Sequence, residues 1–159
     1  MAVDRLSVLD SSFLELESPN HHMHVGGLGI FEAGLRYADV VRILRDRIEQ
    51  VPNARRRVRA LPAVAGRPLW VDDPDFDLTY HVRHAALPAP GDAHQLGEFL
   101  SRLMGRPLDR DRPLWEIYVI DGLEGDRVGM FRKVHLAMAN GEAGAPFSVL
   151  LDEGRNELQ

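Results

Sequence analysis

Residues 24–31 alternate apolar side chains with glycine and carry no charge after His24, a pattern that predicts a buried strand. Gly26, Gly27 and Gly29 within it suggest that another stretch of backbone approaches closely. Tyr37, Val41, Leu44, Ile48 and Val51 follow at spacings of 4, 3, 4 and 3. They form one apolar stripe on a helix that must end near Pro52. Residues 58–61 and 69–71 are short strand candidates, the second followed by Asp72-Asp73-Pro74-Asp75, a turn composition. Residues 80–87 offer a further strand. Leu96, Phe99, Leu100, Leu103 and Met104 fall at i, i+3, i+4, i+7 and i+8, the firmest helical period in the chain, closed by Gly105 and Pro107. Residues 115–120 and 128–135 are rich in β-branched and aromatic residues, and Asp121-Gly122 with Gly125 between them signals a hairpin. A last helix is expected from Glu142 through Phe147, Leu150 and Leu151, with Pro146 in its first turn. The expected organisation is one α+β domain over 1–151, with a mostly buried sheet, and a polar tail at 152–159.

Composition changes this picture little. A chain of 159 residues, 45% hydrophobic and 27% charged with 14 Gly and 10 Pro, can build a real core and has no bias toward disorder. No apolar run approaches the roughly 20 residues of a membrane span, and Met1-Ala2-Val3-Asp4-Arg5 opens no secretory leader, so a cytoplasmic location is expected, with peripheral contact at a membrane or lipid inclusion still open. Cysteine is absent, which removes disulfides and thiolate chemistry. The net charge of −5 speaks against a nucleic-acid partner. The seven arginines within 42–59 read as a solvated helix face and the strand after it.

Several ordered motifs then carry a resemblance. Asp4-Arg5-Leu6-Ser7 with Asp10 and Phe13 comes first, then Met23-His24-Val25-Gly26 and Gly66-Arg67-Pro68 before Trp70-Val71-Asp72-Asp73-Pro74. Asp77, Tyr80-His81-Val82, Arg106-Pro107-Leu108-Asp109 and Arg112-Pro113-Leu114-Trp115-Glu116 follow. In that order they resemble the bacterial wax ester synthase/diacylglycerol acyltransferase family over nearly the whole chain. The resemblance implies half of a chloramphenicol-acetyltransferase-like, CoA-dependent acyltransferase fold, a mixed sheet flanked by helices, whose active site lies in a tunnel between two similar halves.

The family signature is two adjacent histidines, three residues and Asp-Gly. The matching stretch here is His135-Leu136-Ala137-Met138-Ala139-Asn140-Gly141. The resemblance assigns the general base, which takes the alcohol proton during attack on an acyl-CoA thioester, to the second histidine. Leu136 stands there and has no lone pair to accept a proton. His135 is the weak remaining candidate, because successive side chains of an extended segment point to opposite faces. Asn140 replaces the family aspartate, keeping its size and losing its charge, and Gly141 is retained. Pro113-Leu114-Trp115 resembles a family motif associated with the wall of the substrate tunnel, Trp115 and Ile117 are expected near any bound acyl group, and Gly141 completes the candidate substrate-binding set; Trp115 equally well fills a core.

His21, His22 and His24 raise a metal site, but no carboxylate other than Glu15, Glu17 and Glu32 sits nearby at ligand spacing, His24 already belongs to the motif Met23-His24-Val25-Gly26, and no metal is assigned. Asp109 and Asp111 read as a solvated loop. Hydrolase, nucleotide-triphosphatase and dinucleotide motifs are absent. The expected function is a catalytically degenerate acyltransferase-family domain with an acyl or other lipophilic ligand groove. Its ligand would be acyl-CoA or a lipophilic small molecule, with no tightly bound cofactor. The alternative is an active O-acyltransferase, or a repurposed enzyme acting on an apolar substrate, working with a partner chain. A homodimer, or association with a second acyltransferase-like chain, is expected on the ground that a half-fold leaves apolar surface uncovered.

Overall fold

A computed structural model describes residues 4–51 and 53–139. The expected helix over 142–151 and the tail at 152–159, together with Asn140 and Gly141, lie outside the described residues.

The larger sheet has strand order β2 (His24–Phe31), β7 (Arg127–His135), β6 (Trp115–Leu123), β5 (Val82–Ala86). β2 and β6 flank β7 antiparallel, whereas β5 runs parallel to β6, so the sheet is mixed. The hairpin expected between 115–120 and 128–135 forms as β6 and β7, with a register shift between Ile120 and Leu123. A parallel neighbour needs a crossover, and α4 (Ala93–Met104) supplies it between β5 and β6. A smaller antiparallel sheet joins β1 (Asp4–Arg5), β4 (Leu69–Asp72) and β3 (Arg56–Arg59), where Arg56 bonds Asp4 at 2.9 Å and Asp72 at 3.2 Å.

Alternation along β6 sends its side chains to two cores. Trp115, Ile117 and Val119 join Val128 and Val134 under α1 (Val8–Leu16), α2 (Tyr37–Arg47) and α5 (Leu136–Ala139). Tyr118, Ile120 and Phe131 pack with Leu96 and Leu103 of α4, whose stripe also brings Phe99, Leu100 and Met104. The stripe on α2 continues through a 3-10 turn at Ile48–Gln50, as the position of Pro52 requires.

Three expectations are corrected. The strand at 24–31 is not buried: β2 is the sheet's edge, and Val25, Leu28 and Ile30 are 45%, 39% and 46% exposed. What approaches Gly26 is not backbone but the Phe131 ring and the Met104 sulfur. Tyr80 and His81 belong to a helical turn, α3 (Leu78–His81), before β5 begins, because the Asp77 side chain accepts the Thr79 amide at 2.9 Å and caps it.

Candidate functional site

β7 ends on His135 and the chain turns at once into α5, so strand alternation stops between His135 and Leu136. His135 pairs with His24 in the β2–β7 register and is fully buried. Its Nδ1 accepts the Ala137 amide at 3.1 Å, an N-terminal cap on the short helix. That bond assigns the proton of the neutral ring to Nε2. Nε2 lies 3.3 Å from Glu17 Oε2, at ion-pair distance but off the line of a formed hydrogen bond. Burial pushes the imidazole below its ordinary range, against the pull of Glu17. The lone pair at Nδ1 is therefore engaged, and the ring can donate more readily than accept. Half-buried Leu136 donates its amide to Met23 O at 2.7 Å, and its side chain offers no polar atom.

Around this histidine lies a polar cluster of which the sequence foretold only parts. Glu17, just past α1, accepts the Met23 amide at 3.0 Å on Oε2 and the Arg110 guanidinium at 3.0 and 3.3 Å on Oε1. Burial pushes its carboxyl up, but the Met23 amide, Arg110 and His135 together hold it below its ordinary value. His24 and His22 stack at 5.2 Å and aim Nε2 at the two consecutive carbonyls that close α4, that of its last residue, Met104, at 2.8 Å and that of its cap, Gly105, at 3.1 Å. Lys133 Nζ donates to Leu103 O at 2.8 Å and to Arg106 O. Carbonyls at a helix C-terminus lack helical partners and carry partial negative charge, so these donors meet a real need. Burial lowers the pKa of both Lys133 and His24; Glu116 opposes it for the lysine and the Met104 carbonyl for the histidine.

Glu17, His22 and His24 each place one potential ligand atom within 4.8 Å of the others, whereas His21 is exposed and outside the group. Of the three carboxylates that the sequence offered, Glu17 is the one in the group, and it reaches the histidines through a loop that turns back at the Ser18–His21 bridge.

Pro113, Leu114, Trp115 and Ile117 are all buried. The Trp115 Nε1 donates to Ala54 O at 2.8 Å, and its carbonyl accepts His81 Nδ1 at 2.7 Å while the two rings stack at 4.6 Å. Burial drives the His81 pKa down to about 4, so the ring is neutral. Neither His81, seen in the sequence only as part of a motif, nor Lys133 and Arg110 carried a signal of these roles. Asp111 N bonds Asp109 Oδ1 at 2.9 Å in a turn.

Residues 6–157 match the family described as wax ester synthase/diacylglycerol acyltransferase catalytic domain. A relative named probable diacylglycerol O-acyltransferase tgs3, from Mycobacterium tuberculosis, is 46% identical over 142 residues, covering 87% of this chain and 52% of its own length. The solved wax ester synthase/diacylglycerol acyltransferase from Marinobacter aquaeolei VT8 superposes with a TM-score of 0.75 at 33% identity, over 91% of this chain and 37% of that one. The starter condensation domain of the rhizomide synthetase RzmA shares the fold, with a TM-score of 0.66 at 15% identity over 87% of this chain and 34% of that one. The chain thus spans about half the length of the first relative and about a third of the two solved structures. The α+β architecture, a mixed sheet with flanking helices, is part of the CoA-dependent acyltransferase fold. On the match over 6–157, the chain belongs to the wax ester synthase/diacylglycerol acyltransferase family.

Proposed function

We propose that this chain is a wax ester synthase/diacylglycerol acyltransferase-like domain that has lost the family's general-base chemistry and keeps a groove for an acyl chain or other lipophilic ligand, with acyl-CoA as the first candidate. The observation that carries this reading is Leu136, standing at the base position beside a histidine whose Nδ1 lone pair is bound to the Ala137 amide. Asn140, at the position of the signature aspartate, supports it. Loss of a positioned base costs roughly 10² to 10⁴ in rate. The test is acyl transfer from long-chain CoA thioesters to long-chain alcohols and to diacylglycerol, comparing the full chain with the double variant Leu136→His, Asn140→Asp. Background turnover in the unmodified chain and a gain in the variant are expected. Robust turnover by the unmodified chain overturns the proposal. Native mass spectrometry of the purified protein identifies a ligand carried in the groove.

One observation favours an active enzyme instead. His135 and Glu17 pair at 3.3 Å, and a histidine oriented by a carboxylate is a recurrent base arrangement. On that reading His135→Ala abolishes a turnover that the wild-type chain possesses.

A partner chain belongs to the same proposal. Val25, Leu28 and Ile30 on the β2 edge, and Val8, Leu9 and Leu16 on α1, leave apolar surface open, which supports a homodimer or a second acyltransferase-like chain. Light scattering that finds a monomer at all micromolar concentrations speaks against the homodimer. Among the described residues no helix is long and apolar enough to cross a membrane, so any lipid contact is proposed as peripheral.

A further inference from the structure

We propose that Glu17, His22 and His24 form a binding site for a divalent transition-metal ion of the zinc class. Two imidazoles and a carboxylate are a donor set that suits Zn²⁺, with a fourth position left for water. Both rings already make the outer-shell contact that accompanies a ligating histidine. His22 and His24 each direct Nε2 at a main-chain carbonyl, at 3.1 and 2.8 Å, the outer-shell contact that fixes a ligating histidine's tautomer. Those bonds put the ring protons on Nε2 and leave Nδ1 as the nitrogen with an unshared lone pair. Both Nδ1 atoms are buried and without a hydrogen-bond partner, and His24 as a whole is 7% exposed. A buried acceptor without a donor is costly in water-excluded surroundings, and a cation would satisfy both at once.

The geometry needs little change. One potential ligand atom from each of the three residues lies within 4.8 Å of the others. Tetrahedral bonds of 2.0–2.1 Å bring such atoms to about 3.3 Å apart, so the required convergence is about 1.5 Å at most. Glu17 and His22 flank the short loop closed by the Ser18–His21 bridge, and half-exposed His22 gives an ion a way in. Arg110 and Lys133 are the adverse charges: Arg110 bonds one Glu17 oxygen, and Lys133 is turned toward the carbonyls Leu103 O and Arg106 O. The Glu17 carboxyl oxygens, one of which accepts from Arg110, face these charges. His135, with Nε2 beside Glu17 Oε2, is placed to orient the carboxylate rather than to bind the ion.

The test uses the full chain and Zn²⁺ alone by titration calorimetry, with Co²⁺ alone as a visible probe of coordination. One equivalent should bind, the Co²⁺ form should show the intense d–d bands of a tetrahedral site, and Tm should rise with the logarithm of free Zn²⁺ concentration once that exceeds Kd. His22→Gln and Glu17→Gln should each weaken binding by more than the roughly 10- to 100-fold that loss of an outer-shell partner costs. His24→Gln should do the same; because His24 also bonds α4, the other two variants decide if it fails to fold. His21→Ala should bind as wild type does. Absence of saturable binding at one equivalent, affinity unchanged in His22→Gln and Glu17→Gln, or loss in His21→Ala would each overturn the site.

Discussion

Gly26 and Phe131 sit so close on neighbouring strands that a Cβ added to the glycine would lie 2.7 Å from the phenylalanine ring, and 2.8 Å from the Met104 sulfur. This is the point where α4, β2 and β7 meet, and glycine is there for space. Gly26→Ala must push apart the ring and the thioether, and overpacking of this kind costs about 1–3 kcal/mol. Urea denaturation should show that loss in the transition midpoint.

Gly97 is the opposite case. It lies exposed in the interior of α4, and a Cβ there would meet nothing within 4 Å. Gly97→Ala should stabilise the protein by about 0.5–1 kcal/mol, through helix propensity alone. A rise in Tm checks it; a fall would mean that α4 is packed more tightly at this point than its exposure indicates.

The neutral His81 makes stability depend on pH. Its folded pKa of about 4 lies below its ordinary 6.5, so between those values the unfolded chain binds the proton that the folded chain refuses. The contribution is fully present above pH 6.5 and is lost as pH falls toward 4. The difference corresponds to about 3 kcal/mol. Urea unfolding at pH 7.5 and pH 4.5 measures the slope, and His81→Phe, which can still stack on Trp115, should flatten it.

Asp92 accepts the Gln95 amide at 2.9 Å while the Gln95 side chain accepts the Asp92 amide at 3.1 Å, a reciprocal cap on α4. Asp92→Ala should cost about 1 kcal/mol and Asp92→Asn much less, compared by thermal melts followed by circular dichroism.

Much of this fold was legible because its strongest signals are local. The runs in β6 and β7 with their turn glycines, and the 3.6-residue period of α4, specify elements without reference to the rest of the chain. The environment of β2 was not legible in the same way. An uncharged apolar and glycine run looks alike whether the chain covers it or leaves it as an edge, and here Val25, Leu28 and Ile30 remain open. At Tyr80 and His81, β propensity yielded to the Asp77 cap one turn earlier. Helix α1 went unread because its apolar stripe is thin, with Val8 and Leu9 facing solvent; its signal was Ser7, whose side chain caps the Asp10 amide at 3.0 Å. In the candidate site, the signature around His135 could be read from spacing. The convergence of His22 and His24 on α4 could not, since those bonds join residues 83 and 80 positions apart.

Lys133, the chain's single lysine, offers a sharper test of the same corner. Lys133→Met fills similar space but leaves the Leu103 and Arg106 carbonyls without their donor, at about 1–3 kcal/mol, reduced by the relief of a buried charge. Lys133→Ala adds a cavity and should cost more. Chemical denaturation of the two variants should rank them in that order.

The bonds that tie α4 to the sheet differ on their two sides. Lys133, His24 and His22 contribute side chains, whereas positions 103–106 contribute only main-chain carbonyls. A carbonyl is present whatever residue occupies the position. Exchange of Arg106 therefore leaves its acceptor in place, while exchange of a donor removes the bond outright. In a library randomised on both sides, the segment after α4 should drift freely in this respect, and the three donor positions should hold their identities.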